Sequence, residues 1–180
     1  MKFTETYLKG AFVIELNPIR DERGFFARSW CKREMEEHGL NTNIVQANVS
    51  FTEKKGTLRG IHYQIDPYQE TKLFRCTGGA LFDVIVDLRK ESPTYLKWFG
   101  VELTAENNKM VYVPENFGHA YLILQDGTTA SYMVTQFYTP GAEAGIRWND
   151  PAIKIDWPLS PTIISEKDQN FPDLDISHKL

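Results

Sequence analysis

The segment LRGIHYQ at residues 58–64 carries a guanidinium and an imidazole on sequence typical of a β-strand, and Lys72 adds an ammonium shortly after it. This set of side chains suits an anionic ligand with proton chemistry performed beside it. The unperturbed pKa of an imidazole lies near neutrality, so the ring can take up and release a proton without an extreme environment. His62 is therefore the first candidate for a general base.

Similar short segments, either alternating or apolar, recur along the chain between turn signals. They are Asn43–Phe51, Leu58–Ile65, Lys72–Cys76, Leu81–Leu88, Trp98–Leu103, Met110–Val113, Tyr121–Leu124 and Thr129–Tyr138. No long helical pattern separates them, as a parallel α/β sheet would require. The pattern predicts a mostly β fold, an antiparallel barrel or jelly roll, that forms a single domain over residues 1–180.

Helix is a minority in this pattern. Residues 21–24 (DERG) indicate a tight turn, and Cys31–Gly39 indicates a short helix that a glycine ends. After Trp148 four prolines interrupt the alternation. We therefore expect an irregular C-terminal arm, from Trp148 onward, that wraps the barrel.

Charge and composition argue against several classes of partner. The chain of 180 residues has a formal net charge of -4, and its lysines and arginines are scattered, so we expect no nucleic-acid partner. No apolar run approaches the ~20 residues needed to span a bilayer, and the first residues lack the order of an export signal. The expected protein is cytoplasmic and has no membrane partner.

The residues that commonly bind metals are also scattered. Cys31 and Cys76 lack the paired spacing of a metal or redox site, and the four histidines follow no metal-binding pattern. The sequence therefore predicts no metal.

Strand parity predicts which side chains share a surface, because side chains alternate between the two faces of a strand. If the relevant faces line the barrel interior, His62, Lys72, Tyr132 and Tyr138 converge on one cavity. Arg59 has the opposite parity to His62 and would have to act from the start of its strand. Polar interior groups of this kind indicate a ligand cavity instead of a filled core.

Each of these residues also has a structural interpretation. A histidine in a strand is usually a hydrogen-bonded structural residue, a lysine usually faces solvent, and tyrosine is common in sheets. Asp168 fits a helix cap, and His119 fits a buried loop. The residue pattern alone indicates a β-barrel that binds a small anionic molecule and leaves its activity open.

Read together, the segments resemble the dTDP-4-dehydrorhamnose 3,5-epimerase family of nucleotide-sugar epimerases over nearly the whole chain. The matching segments, in chain order, are DERGFF (21–26), Gln46, Asn48, Ser50, LRGIHYQ (58–64), Lys72, FDVIVDLR (82–89), SPT (92–94), Tyr132, Tyr138, WND (148–150), WP (157–158) and SEKD (165–168).

The resemblance implies a cupin-like jelly roll without metal, working as a homodimer on a dTDP sugar that carries a ketone at carbon 4. Protons on the carbons beside a carbonyl are acidic because the resulting anion delocalises onto oxygen. The implied activity is epimerisation of dTDP-4-dehydro-6-deoxyglucose at carbons 3 and 5, by proton removal and return. This reaction requires no redox cofactor.

The resemblance also implies roles for four catalytic residues. His62 would be the base, and Asp168 would hold its other ring nitrogen and stabilise the imidazolium. Tyr132 would return a proton on the opposite face of the sugar. Lys72 would lie beside the carbon-4 oxygen, where a fixed ammonium lowers the energy of the enolate.

Further positions match ligand contacts of the family. Arg59 and His119 would bind the diphosphate or the sugar, and Tyr138 would stack on the thymine ring. The other implied ligand contacts are Gln46, Asn48, Glu143 and Lys167, together with Arg23 and Phe26, which would reach the nucleotide pocket of the partner subunit.

One departure from the family pattern concerns the nucleotide. Arg28 stands where the family usually has a glutamate that contacts it, so the identity of the base stays open. Two alternative functions also stay open. One is a related enzyme that inverts a single centre or moves the ketone between carbons 3 and 4, and the other is a non-catalytic module that binds sugar nucleotides.

Overall fold

The computed structural model describes residues 1–174, in which β-strands predominate. The strands are β1 (Lys2–Glu5), β2 (Phe12–Glu15), β3 (Ile19–Asp21), β4 (Gly24–Phe26), β5 (Gln46–Thr52), β6 (Thr57–Gln64), β7 (Lys72–Gly78), β8 (Ala80–Asp87), β9 (Trp98–Thr104), β10 (Lys109–Val113), β11 (Phe117–Ile123), β12 (Thr128–Val134), β13 (Glu143–Gly145) and β14 (Ile163–Ile164). The helices are α1 (Lys32–Glu37) and α2 (Glu166–Gln169), and in this described part of the chain no helix has the length and apolar character needed to cross a membrane. The mostly β prediction is confirmed.

Two antiparallel sheets enclose the core. The first sheet has the strand order β1-β2-β10-β7-β12-β5, and the second has the order β13-β6-β11-β8-β9, with β14 paired in parallel to β6. The strands β3 and β4 form a separate hairpin. From β5 to β8, successive strands alternate between the two sheets, so hydrogen-bonded neighbours are distant in sequence. The predicted jelly roll is confirmed.

Side-chain alternation divides the apolar residues into layers. In β7, Phe74 and Cys76 belong to the core between the sheets, whereas Leu73 packs on the outer face of the first sheet. In β8, Leu81 and Ile85 likewise join the core between the sheets. A fully buried side chain of this size contributes about 1.5–3 kcal/mol, so this central layer supplies much of the driving force for folding.

Different segments cover the outer faces of the two sheets. Met35 of α1 packs on the first sheet, while Ile153 and Trp157 of the C-terminal arm pack on the second. Two parts of the described arm are joined because Leu174 N–H donates to Asp150 Oδ2 at 2.7 Å. The arm wraps the barrel as predicted, although β14 and α2 interrupt its irregular course.

Several predicted boundaries differ from those of the structure. The strand predicted over Thr129–Tyr138 ends at Val134, because the backbone N–H of Tyr138 donates to Gln46 Oε1 at 2.7 Å instead of continuing the sheet ladder. The loop interpretation of His119 is also wrong, since β11 begins before it. The sequence pattern further missed the short strands β1 to β4, β13 and β14, which are too brief to show alternation.

Candidate active site

A β-bulge in β6 brings Arg59 and His62 to the same face of the second sheet. His62 is opposite His119 and Arg59 is opposite Tyr121, so three steps along β6 match two steps along β11. The extra residue reverses the parity of the strand. Arg59 therefore reaches the space between the sheets through the bulge and not, as predicted, from the start of its strand.

The bulge depends on a glycine. Gly60 has a φ of +116°, and a Cβ at this position would lie 2.6 Å from the carbonyl oxygen of His119. Glycine alone combines this conformation with such a close approach. The N–H of Gly60 donates to Asp168 Oδ2 at 3.0 Å, which connects the bulge to α2.

The same aspartate holds the candidate base. His62 Nε2–H donates to Asp168 Oδ1 at 2.8 Å. An ionised carboxylate only accepts hydrogen bonds, so this contact places the ring proton on Nε2 and leaves Nδ1 able to take a proton. Burial alone would raise the pKa of Asp168, but hydrogen bonds from His62 and the Gly60 N–H outweigh burial and lower that pKa. Asp168 is therefore ionised at neutral pH.

A second contact on His62 comes from the C-terminal arm. The Phe171 ring meets the imidazole edge-on, with ring centroids 5.9 Å apart and an interplanar angle of 72°. Phe171 fits there because Gly145, opposite His62 on β13, has no side chain; a Cβ would lie 2.2 Å from Phe171 Cε2. The imidazole is thus held by a hydrogen bond and by ring packing. Phe171 was missed by the sequence analysis, which found no pattern in the arm.

Tyr132 and Lys72 lie on the opposite wall, in the first sheet. Phe74 is the cross-strand neighbour of Tyr132 and stacks on its ring, with centroids 5.6 Å apart. Burial raises the pKa of Tyr132, and the nearby charge of Glu70 raises it further, against a smaller opposing effect of Arg59. The phenol therefore keeps its proton at neutral pH and is able to donate it.

The two walls enclose a cavity of about 510 Å³. Its lining residues are Ser50, Thr57, Leu58, Arg59, His62, Lys72, Phe74, His119, Tyr121, Tyr132, Ile163, Ile164, Ser165, Lys167 and Asp168. An adjoining cavity of about 300 Å³ shares His62, Lys72 and Tyr132 with the first. It is also lined by Gln46, Asn48, Tyr63, Gln64, Glu70, Val134, Tyr138 and Glu143. Together they lie within the size range of small-molecule sites in proteins, about 300–1,000 Å³.

Of the four side chains expected to converge, three line both cavities, and Tyr138 lines only the adjoining one. Tyr138 reaches this place from the loop after β12. Its position therefore depends on the hydrogen bond between its backbone N–H and Gln46, and not on strand parity.

His119 also pairs with an aspartate. Its Nε2–H donates to Asp83 Oδ1 at 2.7 Å, and Asp83 is 1% exposed. The other oxygen of Asp83 has no hydrogen-bond partner within residues 1–174. Because His119 lies directly opposite His62, two imidazoles with buried carboxylate partners stand side by side. The sequence analysis missed Asp83, although an aspartate within the apolar run of β8 was an available signal.

The remaining predicted contacts divide into two groups. Gln46 and Asn48 lie on the inward face of β5, where they line the adjoining cavity. Lys167 and Glu143 form a hydrogen-bonded ion pair at the rim, and this bond raises the pKa of Lys167. The structure therefore places all four residues around the two connected cavities.

Arg23 and Phe26 lie elsewhere, on the hairpin of β3 and β4. The Phe26 side chain is 69% exposed, and Arg23 forms an ion pair with Asp21. Within residues 1–174, neither belongs to the lining of the two cavities. Arg28, just after this hairpin, has its Nη1 4.0 Å from Glu34 Oε1. A role for Arg23 and Phe26 in ligand binding would require a second subunit.

Glu70 is a further residue that the sequence analysis missed. Its side chain is 13% exposed and its Oε1 lies 3.1 Å from Lys72 Nζ. A glutamate in a connecting loop gives no sequence signal of burial, because charged loop residues usually face solvent.

Among residues 1–174, no group of three or more histidine, cysteine, aspartate or glutamate side chains is arranged to hold a metal ion. The absence of a metal in the working protein stays a prediction from the sequence.

Comparison with known proteins identifies the family. A family model described as dTDP-4-dehydrorhamnose 3,5-epimerase matches residues 5–175. The chain is 42% identical to the dTDP-4-dehydrorhamnose 3,5-epimerase of Shigella flexneri, over 97% of this chain and 98% of that protein.

Solved structures agree with this assignment. The enzyme of the same name from Bacillus anthracis, crystallised with TDP and PPi bound, has a TM-score of 0.93 at 40% identity, covering 96% of this chain and 99% of that chain. The Legionella pneumophila dTDP-6-deoxy-D-glucose-3,5-epimerase, in complex with dTDP-4-keto-L-rhamnose, has a TM-score of 0.88 at 37% identity, covering 93% and 89%. With a matching fold, near-complete coverage and these identities, the chain belongs to the dTDP-4-dehydrorhamnose 3,5-epimerase family.

Proposed function

We propose that this protein is a cofactor-independent epimerase that inverts carbons 3 and 5 of dTDP-4-dehydro-6-deoxyglucose, a nucleotide-linked 4-keto-6-deoxy sugar. One observation carries the proposal: His62, backed by Asp168, and Tyr132 lie on opposite walls of one cavity of about 510 Å³. A base and an acid in this arrangement allow a proton to leave one face of a sugar ring and return on the other.

The proton follows a defined route. His62 Nδ1 removes the proton from the carbon beside the ketone, and the electron pair moves onto the carbon-4 oxygen. Lys72 donates a hydrogen bond to that oxygen and lowers the energy of the enolate. Tyr132 then donates its phenolic proton to the opposite face of the carbon. Exchange with water restores both side chains, so the reaction is redox-neutral.

The nucleotide portion fits the remaining predicted contacts. Arg59 and His119 bind the diphosphate or the sugar from the wall of the larger cavity. Tyr138, which is 61% exposed at the adjoining cavity, offers a ring face on which thymine can stack. Gln46 and Asn48 contribute polar contacts from the inward face of β5. The ligands named for the two solved relatives support a substrate of this class.

Glu143 and Lys167 lie at the rim of the site, where their side chains are 25% and 56% exposed and form an ion pair with each other. We assign them to substrate contact through their free oxygen and N–H groups.

We also propose a homodimer. The inward face of β5 is polar, whereas its outward residues include Val49 and Phe51, which are 74% and 59% exposed. A strand at the edge of a sheet usually has apolar side chains inward and polar side chains outward, and β5 has the reverse. Neighbouring exposed apolar side chains indicate an interaction surface. The hairpin separately exposes Phe26, and a second subunit would bring Arg23 and Phe26 toward a cavity.

A subunit-mixing experiment tests this arrangement. The variants Arg23→Ala and His62→Ala each disable a different part of the site, so each homodimer should have low activity. If Arg23 acts on the partner's cavity, a co-expressed mixed dimer contains one intact site, and roughly a quarter of all sites recover for equal random pairing. No recovery in a mixture verified to contain mixed dimers would show that Arg23 does not act across the interface.

Hydrogen exchange tests the reaction itself. Incubation of the protein with dTDP-4-dehydro-6-deoxyglucose in heavy water should place deuterium at carbon 3 and at carbon 5, as read by NMR. Label at only one carbon would identify a single-centre epimerase, and a displaced ketone would identify a ketoisomerase. Binding of the sugar nucleotide without any exchange would indicate a non-catalytic binding module and would contradict the proposed function.

A further inference from the structure

A buried carboxylate beside Lys72 has no part in the proton route described above. Glu70 lies in the loop between β6 and β7, and its Oε1 is 3.1 Å from Lys72 Nζ. Both side chains are largely buried, at 13% and 15% exposure for Glu70 and Lys72. Both also line the adjoining cavity. A negative charge at this position is unexpected in a site for an anionic nucleotide.

The cations around the cavities differ in how far their charge is compensated. Lys72 pairs with Glu70, and Lys167 pairs with Glu143. Arg59 instead donates to Thr52 Oγ1 at 3.3 Å and to the Phe51 carbonyl at 3.5 Å, both of which are uncharged. The positive charge available to a phosphate is therefore concentrated at Arg59.

We propose that Glu70 is a specificity-determining residue that reserves the Lys72 ammonium for the carbon-4 oxygen, which carries at most one negative charge as the enolate, and keeps multiply charged phosphate groups away from it. This inference rests on the proposed function, in which Lys72 meets the carbon-4 oxygen. The charge of Glu70 would explain why the diphosphate and the ketone of one substrate bind at different positions in the site.

The chemistry of the pair supports this discrimination. An ammonium has three N–H donors, so Lys72 can donate to Glu70 and still donate to a ketone. Binding of a phosphate depends on the net charge of its site. The adjacent carboxylate repels the phosphate and cancels much of the attraction that the ammonium exerts on it. Because the pair is largely buried, water and salt screen this repulsion less than they would at the surface. The ion pair thus remains a hydrogen-bond donor to a ketone or enolate oxygen while being a poor site for a multiply charged phosphate.

Binding of inorganic pyrophosphate tests the proposal. The protein is first saturated with dTDP, which fills the nucleotide and diphosphate positions, and pyrophosphate is then titrated by calorimetry. We expect Glu70→Gln to bind pyrophosphate roughly tenfold more tightly than the wild type, because glutamine keeps an acceptor for Lys72 and removes only the charge. Glu70→Asp retains the charge and should bind pyrophosphate as weakly as the wild type.

Two further variants locate the effect. Glu102→Gln, on β9 away from both cavities, changes the net charge of the protein by the same amount and should leave pyrophosphate binding unchanged. Adding Lys72→Met to Glu70→Gln should abolish the tighter binding. Unchanged affinity in Glu70→Gln, equal tightening in Glu102→Gln, or tightening that persists without Lys72 would each overturn the proposal.

The test of Glu70 can fail without failure of the proposed function, and the two results can be told apart. Calorimetry requires no turnover, so pyrophosphate binding can contradict the role of Glu70 while heavy-water exchange still supports epimerisation. Failure of dTDP to bind would instead overturn the proposed function, and the role of Glu70 with it.

Discussion

The two sheets hold their halves of the candidate site by different means. On the second sheet, each imidazole in the cavity donates a hydrogen bond to an aspartate that is almost fully buried: His62 to Asp168 and His119 to Asp83. These bonds have a direction and a charge, so they determine both the orientation of each ring and the nitrogen that carries its proton.

On the first sheet, the corresponding groups are held more loosely. The Tyr132 ring stacks on Phe74, a contact that orients the plane of the ring without binding its hydroxyl. Lys72 meets Glu70, which comes from a loop and not from a strand. The stacked ring leaves the Tyr132 hydroxyl without a hydrogen-bond partner within residues 1–174, and the Lys72 ammonium has N–H groups beyond its contact with Glu70, so both can donate to a ligand.

The difference indicates a division of labour between the walls. A base must have the correct tautomer before the substrate arrives, and a preorganised wall avoids the cost of arranging it during the reaction. The acid and the enolate donor must follow a ring whose charge and shape change as the proton leaves. We expect variants on the second sheet to remove proton abstraction, and variants on the first sheet to affect later steps.

The largest effect should come from the base. His62→Ala should lower turnover by a factor on the order of a hundred or more while largely keeping dTDP affinity, because a positioned general base acts on the transition state more than on binding. Heavy-water exchange should fall equally. Turnover by NMR and affinity by calorimetry provide the measurements, with His38→Ala on the far side of the first sheet as the control. Unchanged turnover would eliminate the assigned base.

Tyr132→Phe should separate two steps that the base variant removes together. The phenylalanine keeps the stacking on Phe74 and lacks the acidic hydroxyl, so inversion should fall by roughly a hundredfold. Exchange with heavy water at unchanged configuration should persist, because His62 can return a solvent-derived proton to the face it came from. Tyr7→Phe, outside both cavities, serves as the control. An equal fall in exchange and inversion would contradict the division between the walls.

A carboxylate also stabilises the end of the second sheet away from the cavity. Asp87, at the end of β8, is fully buried and accepts hydrogen bonds from Arg89, Ser92 and Thr94. Burial would raise the pKa of Asp87, but these bonds lower it from 3.8 to about 2. The contribution of Asp87 to stability is therefore present above about pH 4 and is lost as the pH falls through about 2, an effect of about 2 kcal/mol.

Urea unfolding at several pH values between neutrality and pH ~2 measures this contribution. Asp87→Asn should be less stable at neutral pH and should lose less free energy of unfolding on acidification than the wild type. The same acid dependence in both proteins would exclude Asp87 as its source.

The smallest effect concerns the packing behind the base. Phe171→Ala removes the ring beside His62, and Gly145→Ala displaces it by a clash, so each should lower turnover roughly tenfold with KM changed by less than about threefold. The double variant should lose about as much as either single variant, because the methyl group enters the space that the ring leaves. A double-mutant cycle on kcat measures this coupling. Additive losses would show that Phe171 and Gly145 act independently of one another.

Much of the barrel was predictable because alternation is a local property. In β7 and β8, residues of one parity join the core between the sheets, as a regular strand requires. The same rule placed His62, Lys72 and Tyr132 around one cavity. The alternation rule gave wrong positions where a strand is irregular or ends, at the bulge beside Arg59 and at the end of β12 before Tyr138.

Other members of the site left little trace in sequence. Glu70 reads as an ordinary charged loop residue until the structure shows its contact with Lys72, whereas Asp83 differs only in lying within an apolar run, which does not reveal its partner His119. Phe171 lies in an irregular segment without periodicity, so only packing identifies its neighbour. The resemblance to a family supplied Asp168, whose contact with His62 spans 106 positions and follows no local pattern.

By itself, the sequence determined the order of the longer strands and the side chains that share a face within each of them, because these depend on neighbouring residues within one strand. Only the tertiary structure decided that Arg59 joins His62 on one face, since this depends on counting residues across two paired strands. It also decided which tautomer His62 adopts, because the carboxylate that selects the ring nitrogen lies on an arm that folds back over the second sheet. Contacts of this kind arise from the closure of the whole barrel and have no counterpart in any single segment.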